Sequence, residues 1–271
     1  MSLEPTLIVE LLLLGTFTGF LAGLLGIGGG MIMVPFITYI LSQRGVSDSL
    51  AVKMAIATSM ATIIFTSLSS VRAHHKRGTV MWPLVGRLAP GIVLGSMLAS
   101  LGAFTAVKGQ YLALFFALFV GFSAFQMMRN VKPKPARNLP GPAGQFGAGG
   151  LIGFLSGMVG AGGAFISVPF MTWCNVPMHN AISTAAALGF PIAVANVTGY
   201  IISGMGAQGL PEGTLGYIFL PALLVIAAAS VTIAPWGVRA AHALPVPKLK
   251  RIFSVLLFGL AAFMLKKGLG L

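Results

Sequence analysis

Acidic residues are almost missing from this chain. Its 271 residues include only four, Glu4, Glu10, Asp48 and Glu212, against 17 lysines and arginines, a formal net charge of +13. All four acids fall near the ends of apolar segments or in loops. Cation pumps and carboxylate proton relays place an acid inside the membrane, so a cation substrate and coupling through a buried carboxylate are both disfavoured. Charge of either sign is scarce: 8% of the residues carry one, where a soluble domain carries roughly 25%. Cysteine is scarcer still. Cys174 stands alone, which excludes a disulfide framework and a thiolate metal site and leaves it as a small buried apolar residue. No spacing of His, Cys or carboxylate suggests a metal. No acid, base and nucleophile cluster as an enzyme requires, so no catalytic residue is assigned and no cofactor is called for.

What fills the chain instead is hydrocarbon. Hydrophobic residues make up 56% and the mean hydropathy is +0.94. Apolar segments run over 7–26, 31–42, 49–71, 81–105, 109–128, 146–160, 164–177, 179–203, 213–237 and 251–267. The longer ones can cross a hydrocarbon core of about 30 Å. Basic residues gather in short clusters between them, as juxtamembrane loops require, which points to the lipid bilayer as partner and away from nucleic acid. The first residues lack a basic stretch, with Glu4 and Glu10 standing where lysines would be, so 7–26 reads as a retained segment and not a cleaved signal. The expectation is an all-α polytopic protein, multi-pass in the inner (cytoplasmic) membrane.

The segment 129–145, RNVKPKPARNLPGPAGQ, is basic and rich in proline and glycine, and reads as an exposed linker. It divides the chain into a first transmembrane repeat (1–130), a cytoplasmic linker (131–145) and a second repeat (146–271). The two sides match. Gly19 through Phe36, GFLAGLLGIGGGMIMVPF, aligns without a gap on Gly153 through Phe170, GFLSGMVGAGGAFISVPF. Ala55–Ser59 (AIATS) then falls on Ala181–Ala185 (AISTA), and Gly121–Phe125 on Gly259–Phe263. An internal duplication follows.

If each half holds five apolar segments, the first two forming a broken or re-entrant pair, the odd count inverts the second half. With the N-terminus outside, the cytoplasmic side receives Arg72, Lys76, Arg77, Arg87, Arg129, Lys132, Lys134, Arg137, Arg239, Lys248, Lys250 and Arg251. Arg44, Lys53, Lys108, Lys266 and Lys267 fall outside, a split of twelve to five. Counting each broken pair as a single span makes the halves parallel and lowers the split to ten against seven. The positive-inside rule favours inversion.

The glycine runs Gly28-Gly29-Gly30 and Gly162-Gly163 read as bends. One helix ends near Gly26 and the next starts near Met31, with the same picture around Gly160 and Phe165; Pro35 and Pro169 suit a first helical turn. Irregular backbone at membrane depth is tolerated where protein buries it or a wet cavity adjoins it. The N–H groups at the new helix start then offer positive potential to an anion. Gly19, Gly23 and Gly26 are spaced for close helix packing. Thr58 and Ser59, with Ser183 and Thr184 in the second half, lie inside apolar helices at matching places. Their hydroxyls either bond back to their own helix or donate to a substrate oxygen. Lys53 and His179 each stand five residues before the threonine, forming a basic entrance on opposite sides or snorkelling at helix ends. Asn196 reads as an interhelical hydrogen-bonder, and His74 and His75 as a solvated basic cluster.

With these residues in view, the chain resembles the TauE/SafE family of sulfite exporters and anion permeases. The duplicated glycine element ending in Val-Pro, the A-x-x-T-S stretch after it and the turn His74–Gly78 carry the resemblance over nearly the whole length. It implies a helical permease for sulfite, sulfonates or other organosulfur anions. The second half departs at Ala164, in place of the third glycine, and at Ala185, in place of the serine. The expected function is a secondary transporter for a small anion working by alternating access, with the substrate at Gly28, Gly29, Gly30, Thr58, Ser59, Gly162, Gly163, Ser183 and Thr184. An anion channel of the same architecture is the alternative. Assembly into a homo-oligomer stays open.

Overall fold

In lipid, backbone N–H and C=O groups can be satisfied only within helices or a closed barrel. The chain takes the helical solution in the computed structural model, which describes residues 5–25, 29–129, 137–243 and 246–270. Ten helices follow one another among those residues. In the first half they are α1 (Pro5–Leu25), α2 (Gly30–Gln43), α3 (Asp48–Lys76), α4 (Trp82–Ala106) and α5 (Gly109–Arg129). In the second they are α6 (Pro142–Val159), α7 (Ala164–Trp173), α8 (Met178–Gly204), α9 (Leu220–Ala243) and α10 (Val246–Leu269). Seven helical segments are long and apolar enough to cross a membrane. The protein is an all-α polytopic membrane protein.

Two boundaries differ from the sequence reading. Of the linker read over 131–145, residues 131–136 lie outside the described residues, and α6 already begins at Pro142, since proline tolerates the first turn, where its missing N–H costs nothing. The segment read from 213 onward opens with a short antiparallel hairpin, β1 (Thr214–Leu215) and β2 (Ile218–Phe219), before α9 starts. Gly216 supplies the positive φ of its two-residue loop.

The first two helices of each half form a broken pair that folds back on itself. With 14 and 10 residues, α2 and α7 are about 21 Å and 15 Å long at 1.5 Å per residue, short of the roughly 30 Å of hydrocarbon. Each returns toward the side from which its pair entered. Arg44, just past α2, bridges to Glu10 near the start of α1 at 2.9 Å. In the second half the Arg137 N–H donates to the Trp173 carbonyl at 3.4 Å, and its guanidinium lies 4.9 Å from the Trp173 ring centre. Pro35 and Pro169 each occupy the sixth position of their short helix, in the second turn rather than the first. There they withdraw the N–H that the carbonyls of Met31 and Phe165 would otherwise accept.

Packing between the halves is reciprocal. Helix α1 lies along α9 and α6 along α4, so the first helix of each half packs on the fourth helix of the other. The backbones approach closely there: a Cβ on Gly19 would overlap the Ser230 backbone, and one on Gly153 the Ile92 carbonyl. Of the three glycines read as a packing face, Gly19 serves it, Gly23 borders a cavity instead, and Gly26 lies outside the described residues. Equivalent helices α3 and α8 pack together at the centre and run antiparallel. Asn180, at the start of α8, bonds Thr79 beyond the end of α3, whereas Phe219 beyond α8 bonds Thr58 in the first half of α3. Helices α5 and α10 are also antiparallel, with Gly268 against Leu114 and Gly121 facing Ala261.

The bundle thus has two ends. At the Lys53 end lie Glu10, Arg44, Asp48, the hairpin and Lys267, with the pairs Arg44–Glu10 and Lys267–Asp48 (2.7 Å). At the Arg77 end lie residues 72–82, 137–141 and 173–180. None of the chain's acids falls in those stretches, so this end is uniformly basic.

Candidate functional site

The two glycine bends meet at the centre of the bundle. Gly29 (φ 70°, ψ −12°) caps α2, and its equivalent Gly163 (φ 75°, ψ −8°) caps α7 in the same left-handed conformation, which a side chain would strain. The Gly29 carbonyl accepts the N–H groups of Ile32 and Met33 at 3.1 and 3.2 Å, and that of Gly163 accepts those of Ile166 and Ser167 at 3.1 and 2.9 Å. Gly30 abuts the second bend so closely that a Cβ would strike the Gly160 carbonyl. Ser59 joins the bends: its Oγ donates to the Gly160 carbonyl at 3.1 Å and lies 3.4 Å from that of Gly30. Gly162 faces Ile63. Gly28 lies outside the described residues.

Thr58 and Thr184 form a symmetric clamp. The Phe219 N–H donates to Thr58 Oγ1 at 3.0 Å, and the Met81 N–H donates to Thr184 Oγ1 at 3.1 Å. Both hydroxyls are buried. Each satisfies a backbone donor just before the fourth helix of the opposite half, so their first duty is to hold the halves together. Ser183 stands apart from the bends, with its Oγ 2.7 Å from Thr79 Oγ1 and 3.0 Å from His74 Nδ1. His74 and His75 therefore do not form one solvated cluster. His74 is half-buried and tied to α8, while exposed His75 accepts the Trp82 indole N–H at 3.1 Å.

Lys53 and His179 lie at opposite ends of the antiparallel α3–α8 pair. His179 is exposed at the start of α8. Lys53 Nζ donates to the Thr105 carbonyl at 3.3 Å and lies within 6 Å of the Phe104 and Tyr217 ring centres, at 5.4 and 5.8 Å. It also borders a wide depression at that end, beside Ser49 and Gln208.

A cavity of about 240 Å³ enters from the Arg77 end and reaches the second glycine bend. Arg77 and Ala73 stand at its mouth; Ser70, Ser67 and Thr66 of α3 line one wall; Ile63, Ala185 and Gly162 close its floor. Ala22 and Gly23 of α1, Ala164 of α7 and Ala234 of α9 complete it. Its positive features are the basic mouth and the N-terminus of α7, whose dipole favours an anion. The departure at Ala185 acquires a place here: Ser59 fills its side of the bends with a hydrogen bond, and the smaller Ala185 leaves room on the other. The sequence reading missed Thr66, Ser67, Ser70 and Arg77. The signal for them was the hydroxyl-rich run TSLSS at 66–70, with residues three and four apart on one helix face. Among the described residues no group of three or more His, Cys, Asp or Glu could hold a metal.

Comparison with known proteins bears on this geometry. The family model described as sulfite exporter TauE/SafE matches residues 11–264. A protein of Haemophilus influenzae named "Probable membrane transporter protein" is 37% identical over 264 residues, covering 97% of this chain and 99% of the relative. A Methanocaldococcus jannaschii protein named in the same terms is 24% identical, with 94% of both chains covered. A Bacillus subtilis relative, also named a probable membrane transporter, is 26% identical over 72% of this chain and 79% of its own. No solved structure matches.

Proposed function

Because the chain belongs to the sulfite exporter family TauE/SafE, we propose that this membrane transporter is a secondary carrier for a small organosulfur anion. Sulfite, a sulfonate or a related oxyanion binds at the glycine-broken helices and crosses the cytoplasmic membrane by alternating access. The two repeats are inverted in the membrane. The antiparallel packing of α3 on α8 and of α5 on α10 supports this, because equivalent helices running in opposite senses require an axis across the helices. By the positive-inside rule the Arg77 end is cytoplasmic.

One observation carries the reading: a cavity open at a basic end stops blind at the joined glycine bends. An anion entering it meets arginine, then hydroxyls, then the positive end of α7, and no carboxylate. Discontinuous helices at the interface of two repeats are where secondary carriers bind their substrates. The blind floor favours a carrier over the anion channel, which needs a continuous path. Thr58, Ser59 and Thr184 act as positioning residues for the bends and for the fourth helices, and Gly162, Gly163, Ser67 and Ser70 border the substrate. Uptake of radiolabelled sulfite and of methanesulfonate into proteoliposomes tests the proposal. Flux of at least one above protein-free vesicles is expected, and its absence for both overturns it.

A further inference from the structure

Among the described residues six buried side-chain polar atoms have no hydrogen-bond partner: Ser96 Oγ, Gln145 Oε1, Ser156 Oγ, Ser167 Oγ, Asn196 Oδ1 and Ser203 Oγ. Orphaned groups of this kind are rare and call for an explanation. The repeat supplies one. Under the alignment of Gly19–Phe36 on Gly153–Phe170, Ser156 answers to Ala22. Under that of Thr58 on Thr184, Asn196 answers to Ser70 and Ser203 to Arg77. The matching contacts of Gly149 with Leu88 and of Gly15 with Ile226 pair Ser96 with Ala234. Ala22, Ser70, Arg77 and Ala234 all line the open cavity. Four of the six orphaned atoms thus occupy the repeat-related image of that cavity.

The image is shut. A Cβ on Gly157 would collide with Asn196 Oδ1, and one on Gly199 with Ser100 Oγ, so α6 meets α8 and α8 meets α4 in direct contact at these points. Asn196, read from sequence as an interhelical hydrogen-bonder, donates only along its own helix, to Ile192 O at 2.9 Å. Toward the Lys53 end the image is capped by Tyr200, whose hydroxyl donates to the Gly157 carbonyl. Phe104 packs on Tyr200 with ring centres 4.5 Å apart, and Tyr217 packs on Phe104 at 5.6 Å.

We infer that Ser96, Ser156, Asn196 and Ser203 line a second substrate compartment, closed here, that opens toward the Lys53 end when the first cavity closes. It takes the same class of small oxyanion, with the three hydroxyls as donors, while the Asn196 Oδ1, an acceptor, takes its hydrogen bond from water. The inference rests on the carrier reading, since a protein with one fixed conformation has no use for a second compartment.

Single cysteines in a Cys174→Ala background test it, probed in oriented proteoliposomes with the membrane-impermeant sulfonate methanethiosulfonate ethylsulfonate. Ser70→Cys is expected to react from the Arg77 side only, and Asn196→Cys and Ser203→Cys from the Lys53 side only. Methanesulfonate on the Lys53 side should slow modification of Asn196→Cys. Ser203, near the end of α8 and only half-buried, keeps the test valid should Asn196→Cys fail to fold. Silence of the Asn196 and Ser203 cysteines from both sides, in variants that still transport, overturns the inference and leaves the carrier reading standing. Opposite-side labelling without flux of any sulfur oxyanion overturns the sulfur-anion substrate and leaves the alternating second compartment standing.

Discussion

At the scale of single residues, many core hydroxyls bond back to their own helix, as Thr18, Thr38 and Thr62 do, while a few tie the halves together. Thr58, Ser59 and Thr184 sit where a substrate-binding hydroxyl was expected, yet each is engaged by backbone. Their positions were legible in the sequence, because hydroxyls in an apolar helix at matching places of two repeats are conspicuous. Their partners were not, since the bonds run between residues 101 to 161 positions apart. Thr58→Ala leaves the buried Phe219 N–H unpaired and should cost about 1–3 kcal/mol. Thermal unfolding in detergent measures it, with Thr58→Ser restoring most of the loss. The bends respond to geometry. Gly29→Leu and Gly163→Leu force a side chain into the left-handed region, and at Gly163 a Cβ would lie 2.5 Å from Ile192 Cδ1. Both should insert yet lose transport. Gly45→Ala, at φ 83° with open space around it, carries comparable backbone strain of about 1–2 kcal/mol far from the site, and should keep transporting. Wild-type flux in both leucine variants would remove the bends from the mechanism.

At the scale of elements, the broken helix pairs were readable because glycine runs, short apolar segments and a following proline say how long a helix can be and where it must stop. The hairpin at 214–219 and the π-helical stretch Leu98–Ala103 in α4 were not readable. Each depends on what packs against it: Gly216 on the backbone of Tyr200 and Ile201, and Ser100 of the π stretch on Gly199. The reciprocal helix contacts also escaped the sequence, since spacing shows that a glycine can pack but not on which helix. Gly95 lies against the Gly150 carbonyl where α4 meets α6. Gly95→Ala should therefore lower stability by about 1–3 kcal/mol through overpacking, read as a lower detergent melting temperature. At the gate, Tyr200→Phe removes the hydroxyl that grips the Gly157 carbonyl, and should speed thiol modification of Asn196→Cys from the Lys53 side. An unchanged rate would show that Tyr200 does not hold the compartment shut.

At the scale of the whole molecule, charge and symmetry set the direction of events. The arithmetic of lysines and arginines favours a halved, inverted arrangement. The structure adds antiparallel central helices, paired charges at the Lys53 end and an acid-free Arg77 end onto which the cavity opens. Reporter fusions in the 44–47 connection and in the 205–213 connection should report the outside, and fusions at 77–81 and 137–141 the cytoplasm. The reverse pattern would make the open cavity face outward. The sequence shows departures between the halves at Ala164 and Ala185, but not which cavity is open, because that depends on how the helices pack.

A carrier that binds its anion alternately from two sides shows counterflow. Proteoliposomes preloaded with unlabelled sulfite are diluted into trace labelled sulfite, and uptake is followed against unloaded vesicles. A transient accumulation of label above equilibrium is expected, with a rate that saturates as sulfite rises. Label that merely equilibrates, at a rate linear in concentration and indifferent to the internal load, would contradict it.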